Sequence, residues 1–80
     1  MSVAENTYKV IDLVGTSSDG LEDAICGALT RAHQTIRNLD WFEVKEIRGT
    51  INPDSGAVNW FQVKMEVGFK ILDPSDLNKE

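Results

Sequence analysis

Eighty residues with a net charge of −5 make one small domain, and a lone copy has little buried surface to hold it together. A single cysteine excludes an internal disulfide, and with one histidine it cannot complete a usual zinc site, so self-association is the expected remedy. Thirteen acidic residues against eight basic ones, interspersed rather than blocked, argue against nucleic acid as a partner.

No stretch approaches the roughly 18 apolar residues of a membrane span. The opening Met-Ser-Val-Ala-Glu-Asn has neither the positive flank nor the apolar run of a signal peptide, so neither feature is expected. A free thiol without an export signal fits a reducing cytoplasm. Residues 1–6 are polar and read as frayed. Tyr8 to Thr16 is rich in β-branched residues and reads as a first strand, with apolar side chains on both faces. Burial on both sides would explain that pattern, and an assembly would provide it.

Thr16 to Gly20 is a turn in which Ser17 or Ser18 can cap a helix, with Asp19, Glu22 and Asp23 near its positive end. Leu21, Ala24, Ile25, Ala28, Leu29, Ala32 and Ile36 then recur at the spacing of one helix face. So many alanines let the helix lie close to a sheet. The helix is expected to close around Arg37-Asn38. Cys26 borders the apolar stripe and reads as inert, and His33 lies outside it as a solvated residue.

A second strand is expected from Trp41 to Ile51, a hairpin loop at Asn52-Pro53-Asp54-Ser55-Gly56, and a third strand from Val58 to Leu72. Alternation puts Phe42 and Val44 on the core face and Trp41, Glu43 and Lys45 on the other. In the third strand Phe61, Val63, Met65, Val67, Phe69 and Ile71 share one face, and Trp60, Gln62, Lys64, Glu66, Gly68 and Lys70 the other. Its length suggests a bend or bulge near Gly68. Pro74 ends it, and residues 73–80 read as a loose tail. The fold class is α+β: a three-stranded antiparallel sheet with one helix packed across it, in the order β-α-β-β.

One helix covers only one sheet face. A tryptophan left on the other, at position 41, is either sealed by another subunit or covered by something flat that stacks on it. Trp60 shares that face and reads as a subunit-packing residue. Gly15 either permits close approach of a ring or chain or breaks the strand.

The segments Val14-Gly15-Thr16-Ser17, Leu39-Asp40-Trp41-Phe42-Glu43-Val44, Ile47-Arg48-Gly49 and Phe61-Gln62-Val63 resemble, in order and spacing, the dodecins. These are small bacterial and archaeal flavoproteins, and the resemblance covers roughly residues 7–72 of a single domain spanning 1–80. It implies a hollow homododecamer holding flavins in stacked pairs between subunits, sandwiched by a tryptophan from each of two chains. Trp41 matches that tryptophan, and Gln62 the glutamine that reaches the polar edge of the ring. Bacterial members favour flavin mononucleotide (FMN), with riboflavin and coenzyme A as further ligands. Arg48 matches an arginine near the phosphate end, and Asp40 is grouped with the same site. Lys70 stands where an arginine is common, keeping the charge but losing the planar fork.

The implied function is flavin storage and photoprotective quenching without catalysis. One rival is a small flavin-dependent oxidoreductase, but the one histidine is on the helix and paired tryptophans would block hydride access. Another is a ligand-free oligomerising scaffold in which the tryptophans only join subunits.

Overall fold

The computed structural model describes residues 6–72, so the expected loose ends, apart from Asn6, lie outside the described residues. Strand β1 runs Thr7–Ser17, helix α1 Leu21–Thr35, strand β2 Leu39–Ile51 and strand β3 Val58–Ile71. Both pairings are antiparallel, and β3 is central, in the order β1-β3-β2. This is the β-α-β-β sheet-and-helix fold that the patterning predicts.

The β2–β3 hairpin closes through local polar chemistry. Asn52 Oδ1 accepts from the backbone N–H of Asp54 at 2.8 Å and of Ser55 at 3.2 Å, an Asx turn. Gly56 follows at φ +77, a left-handed conformation that glycine adopts without a Cβ penalty. At the other end of the sheet Asn38 takes φ +67 as the chain leaves the helix, and its carbonyl accepts from Lys70 N–H at 3.0 Å.

The helix begins differently from expectation. Gly20 is its N-cap and no side chain caps it. Ser17 Oγ instead accepts from Asp19 N–H at 2.9 Å and donates to Asp23 Oδ2 at 2.7 Å, which ties the turn to the first helical turn. The helix also ends at Thr35, two residues before Arg37.

The core is thin. Ala24, Ala32, Val63, Met65 and Val67 are the buried hydrophobic residues, with Ile11, Leu13, Ile25, Leu29, Leu39 and Val44 packed beside them. The helix lies over β1 and β3 and leaves the helix side of β2 largely open. Phe42, assigned to the core by alternation, is therefore on the correct side of the sheet yet 46% exposed. Gly15 allows the close approach of the helix to β1. A Cβ there would collide with the Ala24 carbonyl oxygen and lie 2.9 Å from Ala28 Cβ, so this glycine lets the helix backbone descend onto the strand.

Two glycine substitutions test this packing in opposite directions. Gly15→Ala should lower the thermal unfolding midpoint, because overpacking costs about 1–3 kcal/mol. Gly27→Ala, on an exposed helix position with open space around it, should raise stability by about 0.5–1 kcal/mol through helix propensity. Calorimetry at one fixed protein concentration reads both, and equal shifts in the same direction would contradict this packing.

Candidate functional site

The face of the sheet away from the helix carries Trp41, Gln62, Arg48 and Lys70, with Asp40 beside Trp41 at its end. Across it, cross-strand partners stand in rows. Val10, Gly68 and Trp41 form one row, Asp12, Glu66 and Glu43 another, Val14, Lys64 and Glu46 a third, and Thr16, Gln62 and Arg48 a fourth.

Arg48 reaches this face through a break in the register. On an ideal strand it has the opposite parity to Trp41 and would point to the helix side. The pairing of β2 with β3 slips between Val44 and Glu46, leaving Lys45 as an extra residue. One extra residue reverses the faces of everything beyond it. Arg48 is thereby placed directly opposite Gln62. Its guanidinium is 65% exposed and, among the described residues, holds a 3.4 Å contact to Glu46 Oε1, which leaves room to engage an anion. A second slip, between Leu39 and Trp41, makes Asp40 the extra residue. The irregularity expected near Gly68 is thus opposite it, in β2, while β3 keeps an unbroken register with β1.

Trp41 is held at the other end of the face. Its indole lies across Gly68: a Cβ on Gly68 would fall 2.6 Å from indole Nε1 and closer still to Cε2 and Cζ2. The Tyr8 ring meets the indole edge-on, with centroids 6.4 Å apart at 64°. One side of the indole is seated on backbone, and the residue remains 39% exposed. Lys70 pairs with Tyr8 two residues along β3, so a cation stands beside this aromatic pair. Hydrogen bonding toward the neighbouring Asp40 carboxylate, then desolvation, then that carboxylate's negative charge raise the Tyr8 phenol above its ordinary 10.0, against a smaller opposing effect of Asn6.

The candidate residues therefore fall into two groups. Trp41, Asp40 and Lys70 gather at one end, while Gln62 and Arg48 face each other at the other. Gly68 and Gln62 are six residues apart on β3, roughly 20 Å at a rise of about 3.3 Å per residue. Between them runs the row of Asp12, Glu66 and Glu43, three carboxylates side by side, of which Glu43 has Lys45 at 3.8 Å. No single flat heterocycle spans that distance within one chain. Sequence reasoning missed Tyr8 and Gly68. A glycine in the middle of a long central strand was the available signal for the second.

On the helix side, a cleft of about 360 Å³ opens where the end of α1 faces the start of β2, lined by Leu29, His33, Leu39 and Phe42 and reaching Trp41 at the edge. Among the described residues, no group of three or more His, Cys, Asp or Glu side chains is arranged to hold a metal ion, and no helix is long and apolar enough to cross a membrane.

A short β-α-β-β subunit with one sheet face uncovered, carrying an indole, an amide and cations, defines a class of small domain that completes itself by association. Comparison with known proteins narrows the class. The sequence model of the dodecin family matches residues 7–72, and the chain belongs to that family. It is 59% identical over 64 residues to the dodecin of Thermus thermophilus, covering 80% of this chain and 90% of that one. The structure of the dodecin from Streptomyces davaonensis superposes with a TM-score of 0.79 at 47% identity, covering 88% of this chain and 100% of that one. The calcium dodecin of Mycobacterium tuberculosis, a calcium-chelating antigen, gives 0.70 at 31% identity, over 85% of this chain and 94% of its own.

Tyr8 is the one tyrosine in the chain, so tyrosinate absorbance reports on it alone. Its titration midpoint should lie above 10.0 in the native protein and fall in Asp40→Asn. Because the folded value is raised, the associated stability is present below the unfolded phenol's pKa and is lost as pH climbs through the folded one. A midpoint unchanged by Asp40→Asn would refute the pairing.

Proposed function

We propose that this chain is a non-catalytic flavin-binding subunit of a cytoplasmic homododecamer that stores FMN and quenches its excited state. The observation that carries this reading is the Trp41 indole, backed by Gly68 on one side and left 39% exposed on a face that no described element of its own chain covers. Stacking aromatic rings in this way contributes about 0.5–1.5 kcal/mol beyond burial.

The remaining residues fit a flat, anionic heterocycle. A Gln62 amide offers an acceptor and two donors, which suits the carbonyl and imide edge of the ring. Arg48 and Lys70 supply cations for a phosphate, and the carboxylate row between them keeps an anion toward the ends of the face. A bound flavin supplies a light-absorbing, redox-active ring. The electron-rich indole of Trp41 is the group able to quench it by contact. Since Trp41 and Gln62 stand roughly 20 Å apart along one chain, both serve one ring only if different subunits provide them. That requirement joins the binding site to the assembly. Among the described residues, eleven exposed large hydrophobics, Val10, Val14, Phe42, Ile47 and Trp60 among them, supply surface for the subunit contacts.

Mixing the flavin-free protein with FMN and with riboflavin, and following flavin fluorescence, tests this directly. Emission should be lost on binding, with FMN held more tightly because riboflavin cannot use the cations. Trp41→Ala should weaken FMN binding strongly and leave the far-ultraviolet circular dichroism intact; unchanged affinity would remove the stacking claim. Gln62→Ala should cost about 1 kcal/mol, the size of one neutral hydrogen bond. A larger loss at Gln62 than at Trp41 would make edge recognition, not stacking, the main source of affinity.

A further inference from the structure

Gly68 poses a problem that its backbone does not answer. It occupies the central strand, where glycine forfeits side-chain packing and costs backbone entropy. Gly56 is the one glycine with positive φ among the described residues, so no left-handed conformation demands glycine at position 68. β3 keeps its register with β1 through Val67, Gly68 and Phe69, so no bulge in that pairing demands it either. Yet Gly68 is buried on the face opposite the helix. What covers it is the Trp41 indole, three of whose atoms occupy the space a Cβ would need.

We infer that Gly68 is a positioning residue for Trp41: its missing side chain forms the seat that fixes the indole flat against the sheet, with Tyr8 bracing the edge, so that the outer ring face is presented in one attitude. A cross-strand aromatic over a glycine recovers contact area that the glycine lacks. The pair also removes rotamers. An indole lying on backbone and met by a second ring 6.4 Å away has few other places to go. The entropy of orienting the platform is therefore spent on folding rather than on ligand binding. This inference rests on the flavin reading for its functional consequence. Its structural half stands without a ligand.

The test uses the full chain carrying Trp60→Phe, which leaves Trp41 as the single tryptophan. In flavin-free protein, Gly68→Ala should diminish the near-ultraviolet circular dichroism of Trp41 and increase quenching of its emission by acrylamide. FMN affinity should fall about tenfold, the equivalent of a modest overpacking penalty. The same Gly68→Ala change made in a Trp41→Ala background should cause no further loss. An unaltered indole signal, or an equal loss of affinity without Trp41, would overturn the assignment. If Gly68→Ala fails to assemble, adding Trp41→Ala, which removes the colliding atoms, should restore the assembly seen by light scattering; failure to restore it counts against the seat. Should Trp41→Ala leave FMN binding unchanged, the flavin reading falls, while the flavin-free indole signal still decides the seat.

Discussion

A single fifteen-residue helix laid over two strands of a three-stranded sheet is the constraint from which the other features of this subunit descend. It buries Val63, Met65 and Val67 from the central strand and little else. Each such side chain contributes about 1.5–3 kcal/mol, which is a small return against the conformational entropy of ordering the chain. The sheet's second face and the helix side of β2 carry too much apolar surface for a protein meant to remain alone. Assembly is therefore part of the stability problem.

The sheet solves a placement problem with irregularities rather than with loops. Regular alternation would hold Trp41 and Arg48 on opposite faces. One extra residue, Lys45, brings Arg48 around to meet Gln62 across the strands. Another, Asp40, lets Leu39 turn into the core beside Phe69 while Trp41 turns out over Gly68, and leaves its own carboxylate next to Tyr8. A bulge serves here as a switch of facing direction. Rigid strands then hold both groups of side chains, which is a more exact support than a loop provides.

The two glycines of close approach show one residue type serving two layers of the structure. Gly15 admits the helix to β1 on one side of the sheet. Gly68 admits an indole to β3 on the other. In neither case is backbone freedom the reason, since neither has positive φ. The absence of a Cβ is what matters, and each absence is filled by a different partner: helix backbone in one case, an aromatic ring in the other.

The amino-acid sequence by itself determined the four elements, their order and the side of the sheet on which Trp41 and Gln62 stand. Local signals carry that information: the 3.6-residue period of the alanine-rich helix, the two-residue period of β3, and the Asn-Pro-Asp-Ser-Gly turn. It also determined family membership, because the segments around Gly15, Trp41, Arg48 and Gln62 keep the dodecin order. Only the tertiary structure decided that β3 is central, that Arg48 faces Gln62, that Trp41 and Gln62 stand far apart on one chain, and that Gly68 lies beneath an indole. Those four facts depend on pairing register, which arises between strands and leaves no periodicity within either one.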